Sequence, residues 1–450
     1  MKKKNLLEKR KFPRIMAKLP IRVTPQFFGE IVDLSEAGLG FVLDKPLPLS
    51  KFQAKIEISP KETIETNFKV IWNKQLVEQK KFMYGVCFIR FKEKDLKILR
   101  KSLITTYTHN LINSIKEMYK KQKVRQFWYV RFNSYLNDLS ALSSKMDNEL
   151  ITHEDAFSHV LHINNKILKY GDELEMFLED KVLVRKIKRI FRQLCSPWVY
   201  RSDIVKYAYE KQRGYPGDYK LLEIIYDKTI LSSNIGYCYD NYFLENLYAV
   251  AVRNRKDKMK EILGRFFKSS TKDNLSILNV ACGSARELKD IFVNDKFEPE
   301  CNIVVNLVDQ DKEALEFSRK SLESSSKRIG FKYFNHNILD YCKEKEKYSS
   351  LLGKHDMVYS IGLADYLPER FLKRLILFCF DLLKPNGILV IAHKDSKQYK
   401  PLAPDWWCDW TFYHRSEEDV VNIFRNSNIF NIKVERDPSS VMFFVISEKK

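Results

Sequence analysis

Three stretches of this chain carry side chains whose types and spacing could do chemistry. In Arg10-Lys11-Phe12-Pro13-Arg14 two arginines lie four apart beside a proline. Guanidinium groups grip phosphate through paired hydrogen bonds and stack on purine faces. Further on, Asp33-Leu34-Ser35-Glu36-Ala37-Gly38 reads as a turn. There Asp33 and Ser35 can accept and donate hydrogen bonds to a base edge, and Gly38 lets backbone approach closely. The third stretch, Leu275 to Glu287, reads as strand, tight turn and helix, with small residues at Ala281, Gly283, Ser284 and Ala285. It holds a single glycine, so it is not the GxGxxG dinucleotide fingerprint.

Other residues extend the third stretch. The following strand ends in Asp309-Gln310-Asp311, where an acid can hold both hydroxyls of a ribose. Asn337 and Ile338 offer an adenine-edge contact, and Ser360 ends the fourth strand. Downstream, Asp405-Trp406-Trp407-Cys408-Asp409-Trp410 runs toward Tyr413-His414-Arg415. Aromatic rings such as Trp410 can shield a cation or line an acyl groove, and Arg415 can hold a carboxylate. Packing a helix onto a sheet explains the same aromatics. Asp365 and Tyr366 follow the fourth strand, and Asp365 could equally cap a helix. Arg213-Gly214-Tyr215-Pro216-Gly217-Asp218-Tyr219 is unusually turn-rich for a helical region. It is either a loop over a site, with Arg213 and Asp218 facing substrate, or a plain helix-breaking connection. If a proton must be removed, His393, Tyr413 and His414 are the candidate catalytic groups. His153, Asp155, His159 and His162 have helical spacing, but polar helix faces look the same and no metal is expected.

The elements that must position these residues follow from periodicity. Phe52, Ala54, Ile56 and Ile58 alternate with polar residues, and Phe68, Val70 and Trp72 repeat the pattern. Residues 20–91 therefore predict five or six short strands closing into a barrel. From Leu103 to Arg192 apolar residues recur at helical spacing with almost no Gly or Pro. From Leu275 strands and helices alternate: Ser276–Ala281, Ile303–Asp309, Met357–Ser360 and Ile388–Ala392 as strands, and Arg286–Phe292, Lys312–Leu322 and Phe371–Leu383 as helices. That order predicts a parallel sheet. The expected fold is thus multidomain: an all-β barrel over 1–110, an α-helical region over 111–250 and an α/β Rossmann-like domain over 251–450.

The 450 residues carry a formal net charge of +20. Acids are interspersed and no basic block forms, so scattered solvated lysines explain the charge and nucleic acid is not the expected partner. No apolar run spans a bilayer and no secretory h-region follows Met1-Lys2-Lys3-Lys4. The eight cysteines show no CxxC pair and read as reduced thiols, which places the chain in the cytoplasm. The oligomeric state is not legible.

The first two stretches resemble the PilZ domain, whose signature is RxxxR followed by (D/N)xSxxG, here over about residues 5–110. The resemblance implies cyclic di-GMP as ligand, with Arg10 and Arg14 on phosphates and guanines, Asp33 and Ser35 on a guanine, and Gly38 completing the motif. The ordered series from Leu275 is similar to class I S-adenosylmethionine-dependent methyltransferases. It implies Gly283 under the methionine part, Asp309 on ribose, and Asn337 and Ile338 around adenine. Asn279, Ser284 and Ser360 complete the candidate cofactor contacts. A narrower likeness, on Arg213 to Tyr219, Cys282 to Glu287, Gly362 to Leu367 and Tyr413 to Arg415, is to a bacterial group that makes 3-hydroxypalmitic acid methyl ester. There Ser284 stands in place of Pro. Arg213, Asp218, Asp365, Tyr366, Trp410 and Arg415 become the candidate acceptor contacts, and a fatty-acid-like carboxylate the acceptor. The expectation is a methyltransferase under dinucleotide control. The rival is a cyclic di-GMP receptor whose methyltransferase fold is inactive and serves as a partner platform.

Overall fold

The alternating residues of the first hundred positions close on themselves. The computed structural model describes residues 15–24, 27–59, 62–90, 92–341 and 345–450. Six antiparallel strands, β1 (Ile15–Thr24), β2 (Phe27–Ser35), β3 (Gly38–Leu43), β4 (Lys51–Ser59), β5 (Glu62–Leu76) and β6 (Lys81–Arg90), form a closed barrel in the order β1-β2-β3-β6-β5-β4. Phe52, Ala54, Ile56 and Phe68 fill its core with Ile31, Leu34 and Phe41. Trp72 departs from the expected alternation. A register shift between Val70 and Trp72 in the β5–β6 ladder turns its indole outward over Gly85. A bulge reverses the side-chain parity of everything after it.

Helix α1 (Glu93–Ser114) leaves the barrel and sends Leu99 and Leu103 into its core. It is followed by α2 (Met118–Gln126), a π-helical turn over Phe127–Phe132, α3 (Asn133–Asp147), α4 (His153–Leu178) and α5 (Lys181–Val199). Trp128, Phe132 and Phe191 are fully buried; Phe132 meets Trp128 edge to face and Phe191 at a tilt, inside the helical region that the apolar periodicity predicts. Then come α6 (Asp203–Glu210), α7 (Tyr219–Asp227), α8 (Ile235–Glu245) and α9 (Leu247–Ser269).

The chain divides into two compact units, Met1–Asp203 with Ser232–Tyr239, and Ile204–Leu231 with Asp240–Lys450. The helical region is therefore shared between them. The first unit holds the barrel and α1 to α5; the second holds α6, α7, α9 and the sheet.

The sheet of the second unit has seven strands: β7 (Asn274–Val280), β8 (Asn302–Asp309), β9 (Ile329–Asn335), β10 (His355–Ser360), β11 (Leu383–Lys394), β12 (Ile432–Arg436) and β13 (Met442–Glu448). Their order is β12-β13-β11-β10-β7-β8-β9. The central pairs are parallel and β13 alone runs antiparallel to both its neighbours. The sequence pattern sets no bounds for edge strand β9 or for β12 and β13. Between strands lie α10 (Arg286–Lys289), α11 (Lys312–Leu322), α12 (Ile338–Tyr341), α13 (Lys345–Leu352), α14 (Glu369–Asp381), α15 (Leu402–Cys408) and α16 (Glu417–Arg425). The helix expected over Arg286–Phe292 is one α-turn that runs into a π-helical turn, Asp290–Asn294. Neighbouring residues of β7 face opposite layers: Ile277 packs with Met259 and Leu288, Leu278 with Phe378 and Phe424. Both faces of the sheet are covered, as a parallel sheet requires. No helix among the described residues is long and apolar enough to cross a membrane.

Candidate functional site

The site in the second unit begins where β7 stops. Ala281, Gly283 and Ala285 all have positive φ, at 54°, 54° and 49°. Two alanines in the left-handed region each cost of order 1 kcal/mol or more, so the turn is held by its surroundings. The Cys282 amide donates to the Val308 carbonyl at 3.1 Å, and the Gly283 amide donates to Asp309 Oδ2 at 2.8 Å. The Asp311 amide donates to Asp309 Oδ1 at 2.9 Å. Two backbone N–H groups thus fix the Asp309 carboxylate at the carboxyl end of β8. Its pKa is nevertheless raised, because burial outweighs those hydrogen bonds.

A cavity of about 260 Å³ opens over this turn. Gly283, Asp309, Asn337 and Ile338 line one side, and Gly362, Leu363 and Tyr366, beyond β10, line another. Crevices at strand carboxyl ends are where open α/β sheets bind ligands. The roof is Tyr215, Pro216 and Gly217 with Tyr219 and Leu222 of α7. The turn-rich segment is therefore a loop over the cavity. Gly217 has φ +70°, and a Cβ there would lie 2.6 Å from the Trp410 ring and 3.0 Å from the Tyr366 hydroxyl. Only glycine allows this approach.

A charged strap holds the loop down. Arg213 donates to both oxygens of Asp311, and to Glu313 at 2.8 Å. The Tyr215 hydroxyl donates to Asp311 at 3.0 Å. Burial pushes the Asp311 carboxyl up, yet the hydrogen bonds from Arg213 and Tyr215 hold it below the usual carboxylate range. Asp311 thus anchors the strap, a task that residue type alone does not assign. The second acid of Asp309-Gln310-Asp311 was its only signal.

The remaining candidates sit beside the cavity rather than in it. Asn279 is buried and donates to Glu287 at 2.9 Å, where the Tyr359 hydroxyl also donates at 2.8 Å. Ser284 and Ser360 are buried, and neither lines the cavity. Asp218 caps α7 through the Lys220 and Leu221 amides at 3.0 and 3.1 Å. Arg213 faces Asp311 rather than the cavity. Trp410 is fully buried and donates from Nε1 to the Tyr366 hydroxyl at 2.9 Å, orienting that phenol.

Asp365 is buried and paired with Lys394 Nζ at 2.7 Å and with His393 Nδ1 at 3.2 Å. Burial opposes charge there, but Lys394 and His393 hold the Asp365 carboxyl well below its ordinary range. Lys394, lodged 3.6 Å from the Phe412 ring centroid, is pushed down to about 8 by burial. Arg415 Nη2 donates to the Leu367 carbonyl at 2.7 Å, and its Nη1 lies 3.4 Å from His393 Nε2. Tyr413, His414 and Arg415 line a separate open groove of about 530 Å³ with Glu369 and Asp419. His393, Tyr413 and His414 are thus not brought to the cavity.

The second site is the β2–β3 turn of the barrel. Ser35 Oγ donates to the Gly38 carbonyl at 2.9 Å, closing the turn. The Asp33 carboxylate lies over Gly40, 2.9 Å from where a Cβ would stand. A Cβ at Gly38 would lie 2.0 Å from the Val86 carbonyl oxygen, so the β3–β6 approach by itself requires glycine there. Glu36 points into the unit and pairs with Arg100 of α1 at 2.9 Å. Strand β1 begins beside this turn, with Ile15 opposite Leu34 and Met16 opposite Asp33. Arg10 and Arg14 lie outside the described residues. Among the helices, the His153 ring lies at a tilt against Tyr237, 4.7 Å between centroids, and Asp155 accepts from Thr152, while no group of three metal-binding side chains occurs among the described residues.

The PilZ domain family model matches residues 8–104, the barrel and the first half of α1. No curated protein matches the chain. Among solved structures the chain is similar to a possible exported protein from Bordetella parapertussis, at 15% identity and TM-score 0.40, over 70% of this chain and 96% of that one. It is also similar to magnesium protoporphyrin IX methyltransferase from Synechocystis PCC 6803 with bound SAM, at 10% identity and TM-score 0.36, over 56% and 97%. A third is the N-methyltransferase NodS from Bradyrhizobium japonicum in complex with S-adenosyl-L-homocysteine, at 15% identity and TM-score 0.31, over 43% and 87%.

Proposed function

We propose that this protein is an S-adenosylmethionine-dependent methyltransferase joined to a barrel that binds cyclic di-GMP. The observation that carries the reading is Asp309: a buried carboxylate fixed by two amides at the end of β8, facing a cavity over the Gly283 turn. Counted from β7, the sheet order is 3-2-1-4-5-7-6 with the last strand antiparallel, the topology of class I methyltransferases. The site's residues fit the donor. Asp309 would accept from the ribose hydroxyls, Asn337 and Ile338 would frame adenine, and the Gly283 turn would lie under the methionine part. The bound donor supplies an electrophilic methyl on a sulfonium. The chain's own part is to align the acceptor, exclude water with the Tyr215–Gly217 roof, and present the Tyr366 phenol at the transfer side.

The roof and the Tyr366 side are aromatic and aliphatic, and His393 is sealed away with Asp365 and Arg415. That favours an acceptor already ionised at neutral pH, a carboxylate, which needs no general base. A fatty-acid-like acid yielding a methyl ester fits this chemistry. The rival reading, a dinucleotide receptor with a silent methyltransferase fold, draws support from the same internal pairing of His393 and Asp365.

For the barrel, the support is Asp33 and Ser35 on the turn where β1 starts, in the segment matched by the PilZ model. The test is a calorimetric titration with S-adenosylmethionine, alone and at saturating cyclic di-GMP, followed by labelled-methyl transfer to long-chain carboxylic acids. Donor binding and label transfer support the enzyme; donor binding without transfer to any acid, amine or hydroxyl supports the receptor. Arg14→Ala should abolish dinucleotide binding with the fold intact, and unchanged affinity would remove the barrel assignment.

A further inference from the structure

Glu36 ties the β2–β3 turn to the helices. Glu36 stands between Ser35 and Gly38, and its carboxylate accepts from Arg100 Nε at 2.9 Å. The two side chains are only 10% and 3% exposed. The other two nitrogens of the Arg100 guanidinium reach the helices. Nη1 donates to Asn137 Oδ1 at 3.2 Å, Nη2 donates to the Ser140 hydroxyl, and the Trp198 ring lies 5.6 Å away. Asn137 and Ser140 are one turn apart on α3, and Trp198 is on α5. Arg100 itself is immobilised because its neighbours Leu99 and Leu103 are packed in the barrel core.

This arrangement is costly. Burial pushes the Glu36 carboxyl up to about 7 in spite of Arg100, so the pair contributes little net stability. What a buried, geometrically committed pair supplies is a fixed relation between the elements it joins. Guanidinium planarity makes that relation stiff, since Nε cannot follow Glu36 without swinging Nη1 and Nη2 against α3.

We propose that Glu36 and Arg100 transmit occupancy of the barrel's dinucleotide site to helices α3 and α5. The inference rests on the cyclic di-GMP reading of the barrel and names how that site would regulate the chain. Ligand contacts to Asp33 and Ser35 displace the turn; Glu36 moves with it, and Arg100 carries the displacement to Asn137, Ser140 and Trp198. Glu36 and Arg100 are positioning residues and are not required to touch the ligand.

The test uses the full chain and hydrogen–deuterium exchange with and without cyclic di-GMP, beside calorimetry of the same samples. In the wild type, exchange in α3 and α5 should change by about fivefold or more on binding, the lower end of ordinary allosteric coupling. Arg100→Met should bind the dinucleotide within about threefold of wild type, under 1 kcal/mol, and lose the change in α3 and α5 while keeping the change in the turn. Glu36→Ala, which breaks the same pair from the turn side and stands in should Arg100→Met fail to fold, should behave alike. Variants that respond as the wild type does, or a wild type that binds without any response in α3 and α5, would overturn the relay and leave the barrel reading standing. A wild type that binds no dinucleotide overturns both.

Discussion

The barrel turn and the sheet crevice solve the problem of holding a ligand in opposite ways. At the crevice, backbone amides aim a carboxylate into a space of about 260 Å³, and a loop already covers it. At the turn, the motif residues already serve the protein itself: Ser35 closes the turn on Gly38, Gly38 allows the close approach to Val86, and Glu36 pairs with Arg100 of α1. The crevice is organised to receive, while the turn is organised to be displaced. A preformed pocket favours tight binding because little ordering remains to be done. A turn wired into helices favours a response, since a ligand can shift an equilibrium only through contacts that differ between two states.

That contrast can be broken in four places. Asp309→Ala should weaken donor affinity most, by about 100-fold, because two charge-assisted hydrogen bonds of about 1.5 kcal/mol each disappear. Calorimetry at wild-type affinity would move the ribose site elsewhere. Gly38→Ala should cost the first unit about 1–3 kcal/mol in urea denaturation through overpacking against Val86. If stability is unchanged and dinucleotide binding alone is lost, Gly38 faces the ligand after all and the contrast fails at its barrel end. Gly217→Ala should raise the donor dissociation constant about tenfold, or 1.4 kcal/mol, since the roof can no longer seat on Trp410 and Tyr366. The smallest effect is expected from Arg213→Ala. Its pair with Glu313 is exposed and screened, and the buried Asp311 keeps its hydrogen bond from the Tyr215 hydroxyl, so donor off-rates should rise only about threefold in stopped-flow exchange. An off-rate equal to wild type would mean that Tyr215 and Gly217 alone hold the roof.

Periodicity carried much of the architecture. The strands around Phe52 and Phe68, the helix Lys312–Leu322 and the small-residue turn after β7 all lie where pattern places them, within a few residues. It failed at Trp72, where a bulge invisible to a period-two pattern reverses the face. Edge strand β9 is only partly buried and offers weak patterning, while β13, buried along most of its length, shows an apolar run with no alternation to mark it. Gly283, Asp309, Asn337, Ile338 and Tyr366 could be assembled from chain order, because strand ends in an α/β sheet converge by topology. Asn279, Ser284 and Ser360 could not be told from lining residues, because one residue's shift along a strand moves a side chain from mouth to core.

By itself, then, the sequence determined the kinds of element, their order, the two motifs of the barrel and the acid at the end of β8, because these depend on local periodicity and on residue chemistry. Only the tertiary structure decided that Arg213 straps a roof instead of meeting substrate. It also decided that His393 and Asp365 pair with each other and that Glu36 reaches Arg100. Those are partnerships between residues up to nearly a hundred positions apart. A charged side chain's role is set by whichever opposite charge the fold brings within hydrogen-bond reach, and spacing along the chain does not encode that.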